Sequence, residues 1–290
     1  MTMNLDTNLN APASKGAQKQ QAGWVPLVLI GMTIAYLGVI LYIPAANVFV
    51  QAFSKGVGPF LHNLTQPNFL HAVRLTILLA AVAVPLNTIF GLCAAWALAR
   101  KRFRGRTFLL SLIDLPFAIS PVVAGLMLVL LYGRNGWFGG ILQSLDIKII
   151  FAFPGMALAT AFVSMPFVAR EVIPVLEEAG VDQEEAAQTL GANGWQTFWR
   201  VTLPNIRWGL LYGLILTNAR AMGEFGAVSV VSGNIAGKTQ SLPLFVEEAY
   251  KSYETEAAYS AAVLLALLAV VTLVAKEVVE RKTSHTHRTH

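Results

Sequence analysis

Residues 181–204 read Val-Asp-Gln-Glu-Glu-Ala-Ala-Gln-Thr-Leu-Gly-Ala-Asn-Gly-Trp-Gln-Thr-Phe-Trp-Arg-Val-Thr-Leu-Pro, a polar stretch within a strongly apolar chain. Its first half predicts a helix of about two turns, with Asp182 as the N-cap, Glu185 three residues later as in a capping box, and Gly191 as the stop. A helix this short is marginal on its own in water. It therefore has to be held by packing, against the rest of the chain or against another protein.

The second half of this stretch predicts another short helix, over residues 194–201. Asn193 is its candidate N-cap, and Pro204 lies just beyond its end. Three large aromatic side chains occur in it at helical spacing, namely Trp195, Phe198 and Trp199. Because large apolar surfaces are costly to leave in water, we expect these side chains to be buried.

The composition indicates that the chain as a whole is a membrane protein. Of its 290 residues, 55% are hydrophobic and only 13% are charged, whereas soluble proteins average about 25% charged residues. Such a chain could not cover a water-facing surface with polar groups. The single cysteine, Cys93, excludes a disulfide within the chain and a cysteine-based zinc site. We take the net charge of +5 as information on topology and predict no nucleic-acid partner.

Six apolar runs are long enough to cross a bilayer, which takes roughly 20 residues. They cover residues 24–50, 75–99, 107–133, 149–169, 208–233 and 257–275. We therefore predict an all-α membrane protein with six transmembrane helices, the first of them an uncleaved anchor. The expected organisation is a disordered cytoplasmic tail over 1–23, a first transmembrane helix over 24–53, a five-helix core over 71–280 with a cytoplasmic loop at 174–206, and a disordered cytoplasmic tail over 281–290.

The distribution of lysine and arginine orients these spans. With six spans, both termini lie on one side of the membrane, and the loops and tails of that side hold 14 basic residues against 6 on the other. The loop at 100–106 carries five of them and no acid. By the positive-inside rule both termini are cytoplasmic, and so is the quoted polar stretch.

Two opposite charges, Arg220 and Glu224, lie four residues apart in the fifth span and hence on one helical face. Each would cost about 2.5–3.5 kcal/mol at mid-bilayer, so both should face the protein interior. They either line or gate a translocation path, where an arginine offers a donor fork to an oxyanion, or form a structural ion pair. Asp114 in the third span lines the path or pairs with another helix. Gly209 and Gly213 predict close helix packing.

Seven positions of the quoted stretch resemble the EAA loop of binding-protein-dependent ABC importer permeases, whose pattern is EAA-x3-G-x9-I-x-LP. They are Glu185, Ala186, Ala187, Gly191, Val201, Leu203 and Pro204, with Val201 in place of isoleucine as the only departure. The resemblance implies a type I ABC importer (MetI-like) permease fold in a bacterial inner membrane. It also implies a coupling helix that docks on an ATPase subunit, with Glu185 facing a basic residue there. The residues implied in coupling are Glu184, Glu185, Ala186, Ala187, Leu190, Gly191, Leu203 and Pro204.

A second stretch, Arg220-Ala-Met-Gly-Glu-Phe-Gly226, resembles the Arg-Ala-x-Gly-Glu-Phe-Gly signature of sulfate and molybdate permeases. The longer string over 207–233 is similar to sulfate/thiosulfate permeases of the CysW type. The expected path or gate residues are Arg220, Glu224, Phe225 and Asp114. The resemblance implies a non-catalytic permease that binds no cofactor, with ATP and Mg²⁺ on a partner ATPase. The implied partners are a second homologous permease (CysT-type), two ABC ATPase subunits (CysA-type), a periplasmic sulfate-binding protein and the lipid bilayer.

Other functions are weighed against this interpretation. Composition does not distinguish sulfate from molybdate or tungstate, so an importer of a related oxyanion is the first alternative. A secondary transporter should show internal repeats, and we find no convincing one. A membrane enzyme or metal site is not predicted, because no histidine lies in a predicted span. Residues 233–239 look like a phosphate loop but have three residues between their glycines where four are needed, which leaves ATP hydrolysis to another subunit.

Overall fold

A computed structural model describes residues 24–101 and 103–286, and all regular structure within them is helical. The α-helices are α1 (Trp24–Leu37), α2 (Ile43–Ala52), α3 (Val57–Leu64), α4 (Pro67–Arg100), α5 (Arg106–Ala118), α6 (Pro121–Tyr132), α7 (Gly139–Ser144), α8 (Phe153–Ser164), α9 (Pro166–Ala179), α10 (Asp182–Thr189), α11 (Gly194–Thr197), α12 (Leu203–Met222), α13 (Gly226–Ser232), α14 (Leu242–Lys251) and α15 (Thr255–Thr286). Two π-helical turns, Gly38–Tyr42 and Phe198–Thr202, join α1 to α2 and α11 to α12. The predicted tail over 1–23 lies outside the described residues, as do residues 287–290. Helix α15 extends past residue 280, where the predicted core ended.

Four helical stretches are long and apolar enough to cross a membrane. They are Pro26–Ala52, Pro67–Arg100, Phe153–Ala179 and Thr255–Thr272. A fifth span results if α5 and α6 are counted together, although the two helices are bent by 107° at the break between them. The predicted fifth span, 208–233, is interrupted between Met222 and Gly226. The described residues are thus compatible with six spans without confirming that number.

The chain divides by its contacts into two units, Met1–Asn47 and Val48–His290. The described part of the first unit contains α1, whose described side chains are exposed and carry no charge. An apolar helix with no polar face is typical of contact with lipid. The second unit contains the buried clusters and every predicted site residue.

One buried cluster in the second unit determines where the polar loop lies. It includes Leu98 near the end of α4, Leu176 near the end of α9 and Ile206 near the start of α12, each 1% exposed. Burying such side chains contributes roughly 1.5–3 kcal/mol each. The cluster therefore brings the last turns of α4 and α9 to the first turn of α12, at the end of the bundle where α10 and α11 lie.

Glycines allow three helices of this bundle to pack closely. A Cβ atom at Gly91 of α4 would lie 2.6 Å from the Cβ of Val168 on α9, and one at Gly213 of α12 would lie 3.0 Å from the Cα of Val168. At Gly209 it would lie 2.8 Å from Cγ2 of Val175. Small residues let helix backbones approach in this way. The close packing predicted from Gly209 and Gly213 is confirmed, and Gly91 provides the matching surface on α4.

Candidate functional site

Helix α10 begins one residue earlier than the sequence suggested. The carbonyl of Val181 accepts the first helical hydrogen bond, from the backbone N–H of Glu185 at 2.9 Å, so Val181 occupies the N-cap position and Asp182 is already helical. The prediction of Asp182 as the N-cap is therefore wrong, and α10 has no side-chain cap. Instead, Asp182, Glu184 and Glu185 place three acids in the first turn, where the helix dipole favours negative charge.

The end of α10 is the one predicted. Gly191 has a φ of +92°, a backbone conformation that glycine adopts without steric cost. Its N–H donates to the carbonyl of Gln188 at 3.0 Å, and the N–H of Ala192 donates to the carbonyl of Ala187 at 3.0 Å. This pair of bonds is the Schellman motif that satisfies the last carbonyls of a helix.

The second short helix starts where predicted but does not stop before Pro204. Asn193 and Gln196 form a reciprocal capping box, with hydrogen bonds of 2.8 and 3.0 Å. The chain then continues through the π-helical turn into α12, and Pro204 lies in the first turn of α12. Proline lacks an N–H and its ring clashes with the carbonyl four residues back. The wider turn, in which the N–H of Leu203 donates to the carbonyl of Phe198, accommodates it.

Trp195 and Trp199 are exposed in the single chain, contrary to the expectation of burial, whereas the third aromatic side chain, Phe198, is partly buried. Trp195 is 70% exposed and Trp199 is 50% exposed, and both rings pack on Phe198 with centroids 5.6–6.3 Å apart. The continuous helix buries Thr197 and Thr202 on its inner face, which leaves the aromatic face outside. Beside it lies an open cleft of about 340 Å³. The cleft is lined by Ala187, Leu190, Gly191, Ala192, Gln196, Thr197, Arg200 and Val201.

The predicted coupling residues divide between two faces. Five are exposed, namely Glu185, Ala186, Leu190, Gly191 and Pro204, and three are partly buried, namely Glu184, Ala187 and Leu203. Leu190 is 90% exposed, although it lines the open cleft. Successive helical residues point about 100° apart, so Glu185 faces outward while its neighbour Glu184 faces the bundle.

Glu184 is held by Arg100, a contact that the sequence did not predict. Arg100 Nε donates to Glu184 Oε2 at 3.0 Å and Nη2 donates to Oε1 at 2.9 Å, while Nη1 donates to the carbonyl of Leu176 at 2.7 Å. The hydroxyl of Thr202 donates to Glu184 Oε1 at 2.8 Å. The Arg100 and Glu184 side chains are 8% and 14% exposed. We call these four residues the Arg100 linkage; it joins α10 to the ends of α4 and α9 and to the turn before α12.

Three further contacts reinforce the same region. Arg106 pairs with Glu177 and donates through Nε to the carbonyl of Leu98 at 2.9 Å. The amide of Asn205 donates to Gln183 at 2.7 Å, which adds a second bond between α10 and the start of α12. The arginines of the 100–106 loop served in the sequence only as topology markers. Charge complementarity could have predicted their contacts, because that acid-free loop and the acid-rich 177–185 segment were predicted on the same side of the membrane.

The predicted pair in the fifth span forms. Arg220 Nη1 lies 2.8 Å from Glu224 Oε2, and Glu224 Oε1 accepts the backbone N–H of Ala227 at 2.9 Å, at the start of α13. The Glu224 side chain is 1% exposed, whereas that of Arg220 is 34% exposed. Phe225 follows at the break between α12 and α13 and is 37% exposed. Glu224 thus links the end of α12 to the start of α13, and the Arg220 side chain remains partly exposed.

Asp114 belongs to a different pair. Its Oδ1 accepts from Nε of Arg170 at 2.7 Å, and the Arg170 guanidinium lies 5.0 Å from the ring centroid of Phe117. No contact joins Asp114 to Arg220 or Glu224 among the described residues. The four predicted path residues therefore lie at two separate places, with Arg220, Glu224 and Phe225 at one and Asp114 at the other. No group of three histidine, cysteine or acidic side chains suited to a metal ion occurs in the described part of the chain.

Comparison with known proteins gives consistent matches. A family model described as "Binding-protein-dependent transport system inner membrane component" matches residues 87–285. The sulfate transport system permease protein CysW of Synechococcus elongatus is 66% identical over 272 residues, which cover 94% of this chain and 95% of that protein. The sulfate transport system permease protein CysT of Escherichia coli K12 is 42% identical over 241 residues, 82% of this chain and 87% of that protein.

Solved structures match over most of the chain at low sequence identity. A bacterial ABC transporter involved in alginate import aligns with a TM-score of 0.75 and 18% identity, covering 89% of this chain and 96% of that one. An alginate ABC transporter in complex with a periplasmic protein that carries an alginate pentasaccharide gives 0.74 and 18%, covering 91% and 95%. These likenesses show that the chain has the fold of ABC importer permeases.

Proposed function

The chain belongs to the binding-protein-dependent transport system inner membrane component family, and we propose that it is the permease subunit of an ATP-driven sulfate/thiosulfate importer. The observation that carries this proposal is the 66% identity, over 94% of the chain, to a protein named as a sulfate transport permease. As a permease the chain is a multi-pass membrane protein and not an enzyme, and ATP hydrolysis belongs to separate subunits. ATP and Mg²⁺ are bound by an ABC ATPase partner.

The coupling surface for that ATPase is the outer face of α10 together with the exposed indoles of Trp195 on α11 and Trp199 in the π-helical turn after it. It presents the acid Glu185, the indoles of Trp195 and Trp199, and the exposed Leu190, which lines the 340 Å³ cleft. Exposed aromatic and leucine side chains beside a cleft are typical of a protein interface whose centre is desolvated on binding. A basic residue of the ATPase subunit would face Glu185 there.

The Arg100 linkage carries motion from this surface into the membrane spans. Any displacement of α10 acts on Glu184, and Glu184 is bonded to the ends of α4 and α9 through Arg100 and to the turn before α12 through Thr202. Rigid-body motion that repacks such contacts is a common way to switch a protein between two states. Closure of the ATPase subunits therefore moves several spans together, in alternating access.

The anion passes Arg220 on its way through the membrane. Because its side chain is one-third exposed and its guanidinium is held by a buried carboxylate, Arg220 can present N–H donors to an oxyanion without being a free intramembrane charge. Glu224 reduces the net positive charge, which prevents tight trapping. Phe225 and Asp114 belong to the same path, Phe225 at the break between α12 and α13 and Asp114 on α5.

The complete importer contains further proteins. The existence of two homologous sulfate permeases among the relatives points to a CysT-type chain as the second permease. A periplasmic sulfate-binding protein delivers the anion. In support, an alginate ABC transporter was solved in complex with a periplasmic protein that carries an alginate pentasaccharide. Two CysA-type ATPase subunits complete the complex, and both termini of this chain are cytoplasmic by the charge distribution of its loops.

Reconstitution tests this function. The chain, a CysT-type permease, the ATPase and the binding protein are placed in liposomes, and uptake of labelled sulfate is measured with and without ATP, with molybdate as competitor. We expect ATP-dependent sulfate uptake, and Glu185→Ala should leave ATPase activity while lowering uptake. The exposed Gln188→Ala on the same helix is the matched control. Uptake of molybdate without sulfate would overturn the substrate assignment, and transport without the ATPase subunit would overturn the importer assignment.

A further inference from the structure

Arg170 on α9 and Asp114 on α5 form an ion pair that remains partly exposed in the single chain. Their side chains are 55% and 38% exposed. Asp114 lies inside the predicted third span, seven residues from its cytoplasmic end, and Arg170 directly follows the predicted fourth span on the cytoplasmic side. An ion pair at such a position is unfavourable against lipid tails. The exposed side of the ion pair therefore faces water or polar groups. The cytoplasmic half of a transport path provides such surroundings.

The guanidinium of Arg170 retains donors for a ligand. Asp114 occupies Nε, and the ring of Phe117 lies against the guanidinium at 5.0 Å. The hydrogen bonds of the described residues include none from Nη1 or Nη2 of Arg170. An arginine has five N–H donors in a fixed fork, and the two Nη groups form an edge that matches two oxygens of a tetrahedral oxyanion. The stacked ring holds that edge in a defined orientation.

We propose that Arg170 is an oxyanion contact in the cytoplasmic half of the path, and that Asp114 speeds release by competing with the anion for the same guanidinium. The inference rests on the proposed anion import and extends it to a second position, separate from Arg220. A lone arginine would hold a dianion strongly in a low-dielectric site. A carboxylate already bonded to Nε weakens that hold, so the anion leaves for the cytoplasm.

The two members of the pair should therefore act in opposite directions. The readout is inhibition of transport by sulfate on the cytoplasmic side, measured in proteoliposomes whose ATPase face is outside. Arg170→Gln should raise the half-inhibiting concentration about tenfold, as expected for the loss of a charge-assisted hydrogen bond. Asp114→Asn should lower that concentration and slow turnover, because the anion then meets an uncompensated guanidinium. Arg207→Gln, which removes another arginine stacked on an aromatic ring, is the matched control.

A purely structural pair gives a different pattern. In that case Arg170→Gln and Asp114→Asn would shift inhibition in the same direction or not at all, and this would overturn the inference while wild-type sulfate uptake still supported the proposed function. The charge-swapped variant Asp114→Arg with Arg170→Asp guards against failed assembly, since it keeps a pair while reversing the positions. Recovery of assembly with loss of cytoplasmic-side inhibition supports the inference, and recovery of both overturns it. Failure of every variant to assemble would likewise assign the pair a structural role.

Discussion

The guanidinium of Arg100 binds both carboxylate oxygens of Glu184, at 3.0 and 2.9 Å, across 84 residues of sequence. This bond connects the end of a membrane-spanning helix to the short helix that resembles a coupling helix. Arg100 also donates to the carbonyl of Leu176, so that its donors are used on two different elements. The pair is mostly buried, which makes its loss costly, because a single remaining partner would be an unpaired charge.

Breaking the linkage should lower both stability and coupling. For Arg100→Gln and for Glu184→Gln we expect a loss of about 2 kcal/mol, which corresponds to a fall of roughly 4–8 °C in Tm. The double variant should fall no further than either single one, because both remove the same interaction. Thermal unfolding of the purified complex and the ratio of ATP hydrolysed to sulfate moved are the measurements. Arg104→Gln, on an exposed residue of the same loop, is the control; additive losses would contradict the prediction.

The left-handed conformation of Gly191 makes it sensitive to substitution. A Cβ atom there meets no neighbour within 4 Å, so Gly191→Ala tests the backbone alone. We expect a cost of about 1–2 kcal/mol at φ +92°, seen as faster proteolysis of the loop between α9 and α12 and weaker coupling. Gly194→Ala is the matched control, because a Cβ atom there also has no neighbour within 4 Å and the φ of Gly194 is not left-handed. Equal proteolysis rates for the two variants would argue against a conformational requirement at Gly191.

Close packing at Gly91 predicts that a smaller residue at position 168 reduces the cost of substituting Gly91. Gly91→Ala places a methyl group 2.6 Å from the Cβ of Val168 and should destabilise the α4–α9 contact by about 1–3 kcal/mol, as overpacking does. Val168→Gly in the same chain removes both side-chain atoms of this contact, the Cβ at 2.6 Å and the Cγ1 at 2.7 Å, so Gly91→Ala should cost less in that background. Gly58→Ala, in open space on α3, should leave Tm unchanged. The experiment compares thermal unfolding of Gly91→Ala, Val168→Gly, the double variant and Gly58→Ala, and losses that simply add in the double variant would refute the packing explanation.

The exposed indole of Trp195 should contribute to ATPase binding and not to folding. Trp195→Ala removes a side chain that is 70% exposed in this chain, so Tm of the isolated permease should change little. Affinity for the ATPase subunit should fall about 30-fold, the effect of a central interface tryptophan worth about 2 kcal/mol. Titration of labelled ATPase onto the permease in nanodiscs measures this. Trp137→Ala removes an indole that is 86% exposed and was predicted on the opposite side of the membrane, and it should not affect binding.

Several local features could be predicted from sequence because neighbouring residues determine them. The capping box of Asn193 and the Schellman stop at Gly191 require only short-range hydrogen bonds and one permissive glycine. The pair of Arg220 and Glu224 follows from the spacing of four residues on one helix. Errors occurred where a single residue moved a boundary, as at Asp182, or where a π-helical turn replaced an expected stop before Pro204.

The sequence by itself determined that the chain is an apolar helical membrane protein with one polar loop at residues 181–204, because hydropathy and capping depend on composition and on neighbours along the chain. The tertiary structure alone decided which charges on different helices meet. Arg100 pairs with Glu184 and Asp114 pairs with Arg170 over separations of 84 and 56 residues. Such partners depend on how the helices pack around buried residues such as Leu98 and Val168, and helical periodicity does not specify that packing.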